Sequence, residues 1–157
     1  MPKRKNQQVQ ETKQKKKKSK RMPACQHSVE IEYWYVLPAI RRELAKSLKE
    51  LGSLRQKEVA DILGISESAV SQYLKGTRAV LELENGEDIE MPEWLVEEIT
   101  KASQSILDNR EDHANFLWQV NHLMNVIRER PRAFLCKIHR TFGKTDENCT
   151  VCFHRDS

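Results

Sequence analysis

Gln56-Lys57-Glu58-Val59-Ala60-Asp61-Ile62-Leu63-Gly64-Ile65-Ser66-Glu67-Ser68-Ala69-Val70-Ser71-Gln72-Tyr73-Leu74-Lys75-Gly76 reads as two short helices joined by a tight turn. Val59, Leu63, Ile65, Val70 and Tyr73 fall where side chains point inward and lock the pair to a core. Ala60 must be small where the helices cross. Gly64 ends the first helix in a backbone conformation that a Cβ would strain. Ser66 is placed to cap the second helix, and Gly76 closes it. The outer face of the second helix is left with Glu67, Ser68, Ser71, Gln72 and Lys75, short polar or amide side chains able to reach base edges in a major groove.

The pattern strongly resembles the Cro/repressor (XRE-type) helix-turn-helix family, on Ala60, Gly64, Val70, the surrounding apolar set and Ser71 to Gly76. Tyr35 to Ala45 followed by Ala69 to Leu74 resembles a group of predicted archaeal transcriptional regulators. Members of that group also carry a cysteine ahead of the first helix and a cysteine cluster at the C-terminus. The resemblance covers residues 25–78 well and the C-terminal cysteines loosely. It implies four or five helices around the motif, with bases read by Glu67, Ser68, Ser71 and Gln72. Gln72 leads that set, through a bidentate bond to an adenine edge. Glu67 departs from the family logic, because a carboxylate repels phosphate and prefers a cytosine amino group. Arg55, Gln56, Lys57, Ser66, Lys75 and Arg78 complete the implied DNA-contacting set, the cations and Ser66 near the phosphate backbone.

Upstream, Ile40, Leu44, Leu48 and Leu51 recur at helical spacing. Pro38 either occupies the first turn of a helix starting near Leu37 or kinks a longer one starting near Ser28. The run from Val29 to Tyr35 also alternates like a strand, but no partner strand lies nearby, so a helix is expected, with Gly52 as its C-cap. Downstream, residues 79–91 contain five acids and no base, and form an acidic linker or a hairpin. A hairpin there needs a three-residue loop with Gly86 left-handed, because only that register puts Leu81 and Ile89 on one face. Pro92 at the first helical position opens a helix with Leu95, Ile99, Ala102 and Ile106 as its stripe. After a break at Asp108 to Asp112, a second helix carries Phe116, Val120, Leu123 and Ile127. This helical hairpin, residues 92–130, is expected to pair subunits into a homodimer through Trp94, Trp118 and Met124, as readers of paired half-sites do.

Charge is unevenly spread. Residues 1–24 hold ten Lys/Arg against Glu11 alone, whereas the other 133 residues hold 17 bases and 22 acids. The first 24 residues therefore read as a disordered basic tail, either a non-specific phosphate-binding arm or a solubilising segment. At the other end, residues 131–157 contain Cys136-x2-His139-x9-Cys149-x2-Cys152. Two such pairs on short knuckles, with a reversal at Gly143, suit one tetrahedral metal ion, and with little apolar material nearby a metal would supply the missing folding energy. Cys25 in place of His139 would give four thiolates, which fit an iron–sulfur cluster as well as Zn(II).

The sequence thus predicts an all-α chain: a helix-turn-helix domain over 25–78, a helical hairpin and a small cysteine-rich metal-binding segment. With no membrane-length apolar run and no apolar signal region, a cytoplasmic protein is expected. No nucleophile–base set and no Gly-rich phosphate loop is present, so neither an enzyme nor a small-molecule substrate is expected. The expected partner is double-stranded DNA. The competing reading is a metal-binding interaction or RNA-associated protein that uses the helix-turn-helix structurally.

Overall fold

A computed structural model describes residues 27–83, 85–143, 145–150 and 152. Among these the architecture is all-α, with one isolated antiparallel bridge between Glu82 and Asp88. The basic tail and Cys25 lie outside the described residues.

The chain is helical from Ser28, but Pro38 leaves a mark. A proline has no N–H to donate, and its ring collides with the carbonyl four residues back, here that of Trp34. The conflict is resolved upstream: α1 (Ser28–Ile31) passes into a π-helical turn (Glu32–Val36), in which the Leu37 N–H donates to the Glu32 carbonyl, and then into α2 (Leu37–Gly52). Both expectations for Pro38 are met in part, since it sits in the first turn of α2 within a longer helical run. The alternating pattern of Val29 to Tyr35 is helical.

The end of α2 corrects the sequence reading. Ser53, not Gly52, takes the left-handed conformation (φ 49°). Gly52 is still inside the helix, where a Cβ would stand 2.7 Å from Leu107 Cδ2 and 2.9 Å from Leu54 Cγ. A close approach of neighbouring side chains, and not backbone geometry, requires glycine there.

Next come α3 (Gln56–Leu63) and α4 (Glu67–Leu74), then α5 (Glu93–Asp108) and α6 (His113–Glu129). Pro92 stands one residue earlier than expected, as the N-cap of α5, and the Asp112 carboxylate caps α6 by accepting from the Ala114 and Asn115 N–H groups. Between the two pairs, the Ile89 N–H donates to the Leu81 carbonyl at 2.7 Å and the Leu83 N–H to the Glu87 carbonyl at 2.7 Å. That register leaves a three-residue loop, puts Gly86 in the left-handed region (φ 85°) and buries Leu81 and Ile89 together.

A 3-10 turn (Pro131–Ala133) leads into α7 (Leu135–Gly143). Here a second expectation fails. Cys136 and His139 sit on a regular helix and not on knuckles, and Gly143 ends that helix. Phe134, Leu135 and Ile138 are buried in the same core as Leu44, Val70 and Ile106, so apolar burial already holds this segment in place. α7 packs against α1 and the π turn, where the Tyr35 and Phe142 rings stack at 4.1 Å. A single core runs through all these elements. Among the described residues, no helix is long and apolar enough to cross a membrane.

Candidate nucleic-acid interface

The site is built on α2, against which α4 packs, with α3 closing the other side. Val59, Ala60, Leu63, Val70 and Tyr73 are all buried, and Ile65 is half-buried. Gly64 has φ 63° and, as C-cap, donates its N–H to the Ala60 carbonyl. Ser66 caps α4: its hydroxyl accepts from the Ala69 N–H at 3.1 Å. At the far end, the Lys75 N–H donates to the Ser71 carbonyl and the Thr77 N–H to the Gln72 carbonyl. The inward residues of α4 therefore fix its position, and its caps fix its length.

The remaining face is open. Glu67, Ser68, Gln72 and Lys75 are exposed, while Ser71 is half-buried and reaches out less than expected. Ser66 is exposed, but its hydroxyl oxygen already serves the helix end. The cations sit around this face. Lys57 is exposed near the start of α3, and Arg78 lies over the Tyr73 ring with its guanidinium carbon 5.6 Å from the centroid. Arg55 is the N-cap of α3; its N–H donates to Glu58 Oε2 at 2.8 Å and its side chain approaches the same oxygen at 3.5 Å. That backbone bond first, then the cations of Arg55 and Arg110, hold the Glu58 carboxyl below its ordinary range. Gln56 is half-buried at the first position of α3.

Arg110 acts on Glu58 from outside the motif, as the weakest of these influences. It belongs to the α5–α6 turn, whose approach to α3 no local periodicity encodes. The acidic hairpin is directed elsewhere. Glu87, Asp88 and Glu90 share with Lys137 and Arg140 of α7 the walls of a groove of about 530 Å³.

Arg128 of α6 reaches back to the π turn, donating to Glu32 Oε2 through Nε at 2.9 Å and Nη2 at 2.6 Å. Glu32 is 3% exposed, and the pair holds the Arg128 pKa above its ordinary value. A separation of 96 residues put this ion pair beyond any sequence signal.

The expected dimer residues are not equally available. Met124 is buried, and Trp94 is half-buried with the Arg130 guanidinium carbon 5.0 Å from its ring centroid. Trp118 is 59% exposed and stacks on His122, which approaches Glu98 at 3.5 Å.

Cys136, Cys149 and Cys152 are each partly buried. Burial pushes the Cys136 thiol above its ordinary range, with Cys152 and Cys149 acting the same way and Arg140 and Arg132 against it. His139 is 5% exposed, inside the packing of α7. The donor chemistry fits a thiophilic metal. As positioned, however, the described residues contain no group of three His, Cys, Asp or Glu placed to hold a metal ion.

Two apposed helices, a left-handed glycine between them and a polar outer face on the second define a helix-turn-helix DNA-binding domain. Residues 42–88 match the family described as Helix-turn-helix, and this segment is a domain of the Cro/repressor, XRE type. The match supports a DNA-binding regulator in general, since the matched family is a DNA-binding one. No curated protein and no solved structure matches the chain.

Proposed function

We propose that the chain regulates transcription by laying α4 in the major groove of a preferred DNA sequence, with Gln72 as the principal base reader. The observation that carries this reading is the division of labour on α4: Val70 and Tyr73 are buried, whereas Glu67, Ser68, Gln72 and Lys75 are exposed. A side chain without packing duties can be spent on a base edge. Ser71 contributes at the margin of the groove, and Arg55, Gln56, Lys57, Ser66, Lys75 and Arg78 contact the phosphates. The basic tail, residues 1–24, adds sequence-independent, salt-sensitive affinity. Selection of bound sites from random duplex DNA tests the reading. A preferred sequence is expected, and Gln72→Ala should cost about 1–3 kcal/mol and relax preference at one position. No preferred sequence, together with parental binding by Gln72→Ala, overturns it.

Two finer elements belong to the same reading. The chain acts as a homodimer, with Trp118, the exposed member of the expected set, as its contact. A metal centre, Zn(II) or an iron–sulfur cluster, would be held by Cys136, Cys149 and Cys152 with Cys25 or His139 as the fourth ligand. Bound there, the metal would tie the C-terminal segment down by thiolate ligation. Anaerobic purification and a visible spectrum separate the cases. A brown protein absorbing near about 400 nm carries iron–sulfur, and a colourless one with stoichiometric zinc carries a structural ion. A colourless, metal-free protein overturns this element.

A further inference from the structure

The chain leaves α4 through a bracket that is tied back to the helix. Gly76 is left-handed (φ 68°) and so is Ala79 (φ 59°), with Thr77 and Arg78 between them. The Gly76 N–H donates to the Tyr73 carbonyl at 3.1 Å. The Thr77 N–H donates to the Gln72 carbonyl at 3.0 Å, and the Thr77 hydroxyl donates to the same oxygen at 3.3 Å. Gly76 takes its conformation at no steric cost. Ala79 carries a Cβ, and such a residue stays left-handed only where its surroundings hold it there. It is half-buried and packs against the core. The bracket lays the exposed Arg78 over the Tyr73 ring, with the guanidinium carbon 5.6 Å from the centroid, inside cation–π range. Tyr73 is 3% exposed, so its ring is a fixed platform.

We propose that Tyr73 is a positioning residue for DNA binding: its buried ring, together with the left-handed backbone of Ala79, holds Arg78 ready for a phosphate at the end of the recognition helix. The inference deepens the DNA-binding reading above and rests on it. A long exposed cation loses rotamer freedom when a phosphate captures it. A guanidinium already laid on a ring has given up part of that freedom, and the saving appears as affinity. The ring occupies the flat face of the guanidinium and leaves its N–H edge for phosphate oxygens. The Thr77 bonds fasten the same bracket to Gln72, so the base reader and the phosphate cation keep one fixed spacing. Tyr73 itself touches no DNA.

Fluorescence-anisotropy titrations of the full chain on a selected duplex and on a scrambled one, from about 50 to 200 mM salt, test this. Arg78→Gln should weaken binding to both duplexes and reduce the slope of log affinity against log salt by about 1. Tyr73→Leu keeps a buried apolar side chain but offers no ring face, and should weaken both by about two- to fivefold. Tyr73→Phe keeps the ring and should hold most of the parent's affinity. In an Arg78→Gln background, Tyr73→Leu should cost nothing further. An equal loss in both backgrounds would mean that Tyr73 acts through packing alone, and overturns the proposal. Should Tyr73→Leu fail to fold, Ala79→Gly decides. Glycine relieves the backbone strain, so this variant should melt at or above the parent's temperature yet bind more weakly; parental affinity in it overturns the proposal. If the parent binds and Arg78→Gln keeps its affinity and slope, the proposal is overturned and the DNA-binding reading stands. A parent that binds neither duplex overturns both.

Discussion

The two ends of α2 are held in different ways. At its C-terminal end, α3 and α4 are fixed by apolar packing: Val59, Ala60, Leu63, Val70 and Tyr73 are buried, and the polar groups are left outside. At its N-terminal end, the π turn displaced by Pro38 buries the Glu32 carboxyl, Arg128 of α6 answers it, and Tyr35 stacks on Phe142 of α7. Apolar packing is non-directional and leaves the outer face of α4 available for recognition. A buried ion pair is directional, and losing one partner strands a charge. The helix-turn-helix end is thus set by apolar packing, whereas the N-terminal end adds a directional ion pair and a ring stack to the buried Ile31, Val36 and Ile40. If a signal acts on this molecule through its cysteines, the N-terminal end of α2 is where the packing would register it.

The most severe way to break this contrast is to empty the core where the two ends share it. Phe134 is fully buried ahead of α7. Phe134→Ala should destabilise the whole chain by about 3–5 kcal/mol, in a single unfolding transition followed by circular dichroism in urea. Two separated transitions, with the helix-turn-helix unaffected, would show instead that the C-terminal segment is an independent module.

That outcome bears on what the sequence could reveal. The α3–α4 pair was legible residue by residue because every signal in it is local: Gly64 and Ser66 act within one turn of themselves, and the apolar spacing states which face is inward. The stripes of α5 and α6 and the register of the acidic hairpin were legible for the same reason. The C-terminus was misread because its apolar residues, Phe134, Leu135 and Ile138, are few until one knows they join an existing core. The Glu32–Arg128 pair and the approach of the α5–α6 hairpin tip to α3 were invisible because tertiary packing alone creates them. Gly52 was assigned the wrong duty, since its constraint comes from Leu107, 55 positions away in the chain. In the candidate site, the exposure of Gln72 was readable from helical periodicity, but the partial burial of Ser71 was not.

A smaller loss follows from removing the directional contact itself. Arg128→Ala removes the Arg128 cation from the buried Glu32 carboxylate. Removing one partner of a fully buried pair costs roughly 3–5 kcal/mol. Because Arg128 is 39% exposed, a loss of about 2–3 kcal/mol is expected here. The double variant Glu32→Gln/Arg128→Met, which removes both charges, should recover most of it. No recovery in thermal or urea melts would mean that shape, not charge, holds this end.

The smallest effect lies on the flank of the α5–α6 hairpin, where ion pairs are exposed to solvent and contrast with both ends of α2. Glu98 accepts from Lys101 Nζ at 2.9 Å and is approached by His122. The Lys101 bond first, then the His122 contact, hold the Glu98 carboxyl below its ordinary value of 4.5. A carboxyl lowered in the folded state contributes stability that is fully present above its unfolded pKa and is lost as pH falls through the folded value. Folded-state stability should therefore decline on acidification below about pH 4.5 in part through this group, and Glu98→Gln should remove that part. The variant and the parent should differ most near neutral pH and converge at the acid end, and the difference should shrink in high salt because the pair is screened. A difference that persists unchanged below the folded carboxyl's pKa would show that Glu98 acts on the Trp118–His122 stack through packing and not through charge.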